Sequence, residues 1–383
     1  MMKTVLGLLL VTVVTQGADS TARDLSSRAA ELYNQARYAE AEPLFREAVE
    51  AWGKLGPEVA LQRAIDLRNL GSLLRATGRY MEAELLLTDA AQQLEAAGAP
   101  GLETGRALYN LAALYRTRGD LAKAESFALR ASAIVERQPD ISVPERLSPR
   151  LVLSSVYIEQ GRFGEAEAIL HPMLDSADGP LAVAAYNNLS TIALARGEFE
   201  QAESYARQAL YFAHLALPKD HPAVAAAWSN LAQASRFESR YLEAENAYRQ
   251  AIGIWENSLG PSHPDVARGI VNLAAFFHER GREAASEQLY ARAAAILEQA
   301  FGKNDARALS ARNELADVLR AERRYSESAR LERTTMAALE KALPPGDPRL
   351  ARAQANYARL LAETASAARP CRHSASCETQ TPQ

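Results

Sequence analysis

The sequence predicts an all-α protein, a solenoid of about eight helix pairs closed by one further helix, and three observations predict it. One signature recurs along the chain: an Asn-Leu-Ala-like triplet, a Gly nine residues later, then a basic residue, an aromatic and Ala-Glu. Within each copy, apolar residues fall at 3.6-residue spacing on both sides of that Gly. Composition agrees, being rich in Ala, Leu, Glu and Arg, which lose least on entering a helix, with only 7% aromatics.

The register follows from the first residue of each triplet: Ser27, Asn69, Asn110, Val152, Asn188, Asn230, Asn272, Glu314 and Asn356. Successive steps are 42, 41, 42, 36, 42, 42, 42 and 42 residues. Such a period also suits propeller blades and other helical arrays, so local chemistry decides. Between Pro222 and Gly260, one stripe runs Ala225, Trp228, Leu231, Ala232 and Ser235. A second runs Tyr241, Ala244, Ala247, Tyr248, Ala251, Ile252 and Trp255, and neither alternates as a strand would. Gly78, Gly119, Gly161, Gly197 and Gly281 mark the turn inside a pair, where a positive φ is needed. Pro222 and Pro264 each open a first helix. The 36-residue step places a shortened link at residues 175–180. The array is expected over residues 24–365, with a final helix from Pro348 capping the last pair and a disordered tail at 366–383.

The N-terminus reads differently. Lys3 precedes an apolar run from Val5 to Val14, followed by Thr15, Gln16, Gly17 and Ala18. That describes a cleavable signal peptide at residues 1–17 with cleavage after Gly17, and a secreted or periplasmic protein with no membrane span afterwards. No Cys follows the run to carry a lipoprotein anchor.

Several function classes fall away. Net charge is -4 with 23% charged residues, so nothing favours nucleic acid. The two cysteines, Cys371 and Cys377, lie in the tail with His373, one ligand short of a structural zinc site, so no metal is expected. His221 and His263 recur at one place in the link and read as packing or capping residues. No phosphate loop, nucleophile elbow or carboxylate pair stands out, so no catalytic residue and no cofactor is expected.

The stretch from Tyr241 to Ile252 (YLEAENAYRQAI), followed by Leu259 to Ala267 (LGPSHPDVA), resembles the 42-residue tetratricopeptide repeat of the kinesin light chain type, and so does Tyr38 to Ala48 (YAEAEPLFREA). The resemblance implies a right-handed α-α superhelix whose first helices line a concave groove, and a protein or peptide as partner. It also implies peptide contact for Asn69, Asn110, Asn188, Asn230, Asn272 and Asn356. On the face shared with these anchors lie Gln233, Phe237, Arg268 and Glu279, where the copies differ, while Val152 and Glu314 interrupt the ladder. An Asn amide offers donors and an acceptor to an extended backbone. The same amides could instead bond the neighbouring pair and set its pitch. A second register, six after the anchor, holds Arg75, Arg116, Arg236 and Arg320, either a basic rail for acidic partners or a solvated edge. The expected function is an exported scaffold holding a peptide segment of a partner. The rivals are an assembly component using its convex face or ends, and an enzyme.

Overall fold

The computed structural model describes residues 19–35, 37–98, 101–138, 140–175 and 179–367. The signal segment 1–17 and the tail carrying Cys371, His373 and Cys377 lie outside the described residues. Helix α1 occupies residues 19–34. It is followed by α2 (Tyr38–Gly53), α3 (Ala60–Ala76), α4 (Tyr80–Ala96), α5 (Gly101–Arg118), α6 (Leu121–Val135), α7 (Val143–Glu159) and α8 (Phe163–Leu174). Then come α9 (Gly179–Arg196), α10 (Phe199–Ala216), α11 (Pro222–Phe237), α12 (Tyr241–Leu259), α13 (Pro264–Glu279), α14 (Glu283–Phe301), α15 (Ala306–Ala321), α16 (Tyr325–Ala342) and α17 (Pro348–Ala367). Eight hairpins and one closing helix are thus present among the described residues. The array begins by residue 19, five residues before the expected start, and α17 runs two residues past the expected end. The chain divides into two compact units, Met1–His263 and Pro264–Gln383.

Each hairpin turns the same way. The residue after the Gly donates its N–H five residues back, as from Arg79 to the Leu74 carbonyl (2.8 Å) and from Arg162 to that of Tyr157 (2.8 Å). This Schellman closure needs a left-handed residue, which Gly78 (φ 81°) and Gly161 (φ 76°) supply without a Cβ clash. Ser239 (φ 63°) and Arg323 (φ 61°) adopt it without being glycine. The helices then close on small residues: Ala193, Ala202 and Ala234 form one cluster, and Val183, Ala209, Ala213 and Ala227 another. Gly71 is glycine because a Cβ there would sit 2.7 Å from Leu87 Cγ. Buried serines staple three hairpins, donating from Ser190 to the Ala202 carbonyl (2.8 Å), Ser286 to that of Ala274 (2.9 Å) and Ser328 to that of Ala316 (2.8 Å). Tyr248 fills the core as expected, whereas Tyr241 is 38% exposed.

The basic residue and the Ala-Glu of the signature prove to be one device. Arg79 reaches Glu82 on its own helix and Glu42 in the preceding hairpin (2.5 Å). Arg162 does the same with Glu165 and Glu125, and Arg324 with Glu327 and Glu287. Where the residue after Gly is acidic, at Asp120 and Glu198, an Arg two positions earlier takes over: Arg118 clasps Glu84, and Arg196 clasps Glu167 (2.6 Å).

The 36-residue step corrects one expectation. Four residues separate α8 from α9, as they separate α12 from α13 and α14 from α15, and the missing residues come from α8 itself. It has 12 residues, against 15 in α6 and 18 in α10. Anchor spacing counts residues lost anywhere between two first helices, so it could not tell helix from link.

Candidate functional site

In the first unit, first helices of successive hairpins touch one another, α3 with α5, α5 with α7, α7 with α9 and α9 with α11. Among the described residues no comparable contact joins successive second helices, so the first helices lie on the inside of the curve. The ladder sits on that inner side, but its amides are largely engaged. Asn188 donates to the hydroxyls of Ser155 (2.9 Å) and Ser154 (3.2 Å) one hairpin back. Asn230 is 9% exposed and donates to the Asn187 carbonyl (3.0 Å). Asn187, which the sequence reading passed over, donates to the Ala223 carbonyl (3.1 Å) on α11. Asn69 accepts from Arg68 (3.0 Å), and Asn110 is 9% exposed. The δ-oxygens of Asn188 and Asn230 keep no hydrogen bond among the described residues.

The inner wall changes character along its length. On α3, α5 and α7 it carries ion pairs: Arg68 with Glu103 (3.1 Å), Arg106 with Glu145, and Arg116 with Glu159 (2.6 Å). On α9 and α11 it is neutral apart from Arg236. Thr191 and Ala195 are exposed, and Ala184, Ala226 and Gln233 half-buried. Phe237 stacks on Phe199 (4.4 Å between centroids, 12° between planes), with 51% of its surface exposed and Arg236 over its ring.

The second unit holds the remaining candidates. On α13, Arg268 and Glu279 are exposed, Asn272 is half-buried, and Arg268 pairs with Asp265 (3.0 Å). Asn356 on α17 is 5% exposed, which removes its amide from any open groove. Beside them lies an ionic cluster that sequence reading missed. His278 bonds Asp317 (3.3 Å) and Glu283 (2.5 Å), and these bonds, the Asp317 bond foremost, overcome burial to raise its pKa to about 9. Burial alone would raise Asp317, but His278 and Arg320 hold it at about 2. Glu332 is 1% exposed with neither carboxylate oxygen hydrogen-bonded, and burial and the nearby Asp317 push it up to about 7. Glu332 occupies the place of Tyr290 one repeat earlier and of Tyr248 two repeats earlier.

Two arginines of the second register are held by acids of their own unit rather than left as a rail. Arg116 is held by Glu159, and Arg320 by Asp317 (2.8 Å) and Glu363 (2.5 Å). His221 caps α11, its Nδ1 accepting from the Ala223 N–H (3.2 Å), and His263 is buried, so both take the packing or capping role. A cavity of about 640 Å³ lies between α7 and the second helices α6 and α8. Leu129, Val143, Leu147, Ile169 and Met173 line it, with Arg146 among them. No described helix is long and apolar enough to cross a membrane.

These hairpins, turns and inter-repeat clasps define a helical repeat protein whose fold is that of a protein-interaction scaffold. The chain belongs to the tetratricopeptide repeat family, whose sequence profiles match residues 21–55, 62–137, 103–171, 183–223, 223–299 and 308–349. The fold is similar to that of a Rap protein complexed with competence and sporulation factor (15% identity, 91% of this chain and 98% of that one, TM-score 0.58). It is also similar to the apo form of the quorum sensor NprR from B. thuringiensis (16% identity, 83% and 87% covered, TM-score 0.59). A putative kinesin light chain repeat protein of Podosopora anserina is 22% identical over 51% of this chain and 94% of its own, with a TM-score of 0.37. No curated protein matches the chain in sequence.

Proposed function

We propose that the protein holds an extended peptide segment of a partner against the inner wall of α9 and α11, and acts by binding rather than catalysis. The observation that carries this reading is the neutral stretch itself. Small side chains at Ala184, Thr191, Ala195 and Ala226 leave room, Phe237 offers an apolar face, and Gln233 with the δ-oxygens of Asn188 and Asn230 meets backbone N–H groups. A buried peptide backbone needs such partners. In this reading the ladder amides serve two ends at once, donating to the neighbouring hairpin and accepting from the ligand. Arg268, Asn272 and Glu279 form the corresponding face of the second unit. The solved complex of the Rap protein with competence and sporulation factor is compatible with ligand capture on this fold.

The reading is tested on the mature chain with an array of extended peptides. Ala195→Arg and Thr191→Arg fill the wall with bulk at exposed positions and should abolish capture while thermal melting stays unchanged. Capture that survives both substitutions in folded protein removes the inner wall from the function. The first 17 residues support export to the periplasm or the exterior. Mass spectrometry of the protein recovered from each cell fraction decides that point, since a cytoplasmic chain retaining Met1 contradicts it.

The cavity between α6, α7 and α8 favours a second reading, in which a partner of a larger assembly docks there rather than in the groove. Crosslinks mapping to Leu129, Val143 and Ile169 rather than to Gln233 would replace the first reading with this one.

A further inference from the structure

The cavity of about 640 Å³ between α6, α7 and α8 has a buried apolar floor of Leu147, Leu153 and Met173. Leu129 (47% exposed) and Val143 (44% exposed) stand at its rim. Its volume falls within the roughly 300–1,000 Å³ of small-molecule sites. Buried residues beneath an exposed apolar rim give it a depth that a flat protein-docking face does not need.

Two polar residues of the lining say what the ligand must carry. Ser132 is 8% exposed, and its Oγ is enclosed without a hydrogen bond. The other hairpins place Val49, Ala91, Leu174, Leu210, Ile252, Ala294 and Met336 at this position of the second helix, 22 residues after the anchor. Packing therefore asks for an apolar side chain there, and a buried hydroxyl without a partner is a cost that only an added acceptor or donor removes. Arg146 is exposed and has no ion pair among the described residues. The acids beside it in the chain and in the lining are already taken. Glu145 accepts from Arg106 and from the Ser142 hydroxyl (2.8 Å), and Glu136 accepts from Arg150 (2.6 Å).

We propose that this cavity binds a small oxygenated fatty acid. The chain lies on the apolar floor, the carboxylate faces Arg146, and a hydroxyl or oxo oxygen along the chain accepts from Ser132. An unpaired guanidinium beside an apolar cavity recruits a carboxylate, which it can bind through two parallel N–H bonds. A chain whose single polar group stays with Arg146 leaves the Ser132 hydroxyl unpaired, so the second oxygen is part of the assignment. The site stands apart from the peptide-binding reading, because no described residue of α9 or α11 lines the cavity, and either can fail alone.

The probes are hexanoate, octanoate, decanoate, decanol, and decanoates bearing one hydroxyl at each chain carbon in turn, titrated calorimetrically into the purified protein below their micelle concentrations. Each buried methylene should tighten binding about fourfold, and decanol should bind about tenfold more weakly than decanoate. One hydroxydecanoate should exceed decanoate about fivefold, the scale of one neutral hydrogen bond. Ser132→Val should remove that advantage and leave decanoate unchanged. Arg146→Gln should bring decanoate down to the level of decanol and leave decanol unchanged. Ala133→Trp and Ala168→Trp fill the cavity from exposed positions, and should abolish binding of every probe while thermal melting stays the same. Ala195→Arg, which tests the groove, should change none of these titrations. Binding that survives both tryptophans in folded protein, or a series in which no hydroxydecanoate exceeds decanoate, overturns the site. So does a protein partner that crosslinks at Leu129 and Val143 while every probe fails to bind, which makes the cavity a docking face.

Discussion

The inner wall of the first unit joins its helices in two ways. From α3 to α7 the joints are ionic, with Arg68 meeting Glu103, Arg106 meeting Glu145 and Arg116 meeting Glu159. From α7 to α11 they are made by neutral amides, Asn188 to Ser154 and Ser155, Asn187 to Ala223 and Asn230 to Asn187. The repeat holds both at the same spacing. The ionic joints fill the wall with charged side chains that are already matched, whereas the amide joints consume donors and leave acceptors and open space. A neutral peptide backbone therefore finds room at α9 and α11, and Arg75, which has no ion pair among the described residues, breaks the uniformity of the ionic stretch.

The comparison breaks most sharply at Glu103. Arg68 is 7% exposed, and its contact with Glu103 is an ion pair without hydrogen-bond geometry. Glu103→Ala removes the ion-pair partner of a buried guanidinium, leaving it the Asn69 bond and the field of Asp66, and should cost about 3 kcal/mol, read as a drop in the urea midpoint. A loss below about 1 kcal/mol would mean that water reaches Arg68 and that the ionic joint is no different from a surface pair.

Glu332 extends the ionic theme into the second unit at a place where it has no match. Its folded pKa, about 7, lies above the ordinary carboxylate value, so it favours the folded state only while protonated. Stability is thus greatest below pH 4.5 as far as this group is concerned and falls as pH rises through 7. Glu332→Leu, the residue found at the equivalent Leu87 and Leu170, should stabilise the protein by about 2 kcal/mol at pH 8 and not at pH 4. His278 adds a slope of the same sign at higher pH, since the stability it gives below 6.5 is lost as pH climbs through about 9. Melting curves at pH 4, 6.5, 8 and 9.5 separate the two groups, and an unchanged difference between pH 4 and pH 8 rules out titration of Glu332.

The amide joint should yield less. Asn230→Ala removes one donor from the Asn187 carbonyl and should cost about 1 kcal/mol, with no dependence on salt. A cost that vanishes in 0.5 M salt would show that the α9–α11 joint is electrostatic after all.

Much of this was legible in the sequence, and what was not has a physical reason. Period, turn and cap depend on residue type alone, so Gly78, Pro264 and the helix from Pro348 fell where expected. The clasp of Arg79 with Glu42 and Glu82 is not legible from the signature alone, because Glu42 lies 37 residues away and meets Arg79 only once two hairpins stack. The ladder was ambiguous because an amide's role depends on what stands one hairpin away: Asn188 finds Ser154 and Ser155, while Asn356 ends 5% exposed. The ionic cluster of His278, Asp317 and Glu332 was invisible because its members lie on three different helices.

The smallest expected effect sharpens the comparison furthest. Arg116 and Glu159 are both about one-third exposed, so their 2.6 Å contact is strongly screened. Arg116→Ala should cost at most about 0.5 kcal/mol in low salt and nothing measurable in 0.5 M salt. Arg75→Ala breaks no pair and should cost no more, at either salt concentration. If the two substitutions behave alike at both salt concentrations, the 2.6 Å contact of Arg116 with Glu159 adds nothing to the fold that Arg75 lacks. If instead Arg116→Ala is the costlier by more than about 1 kcal/mol, the register of these arginines is a structural spine and the unpaired Arg75 is a local weakness of the fold.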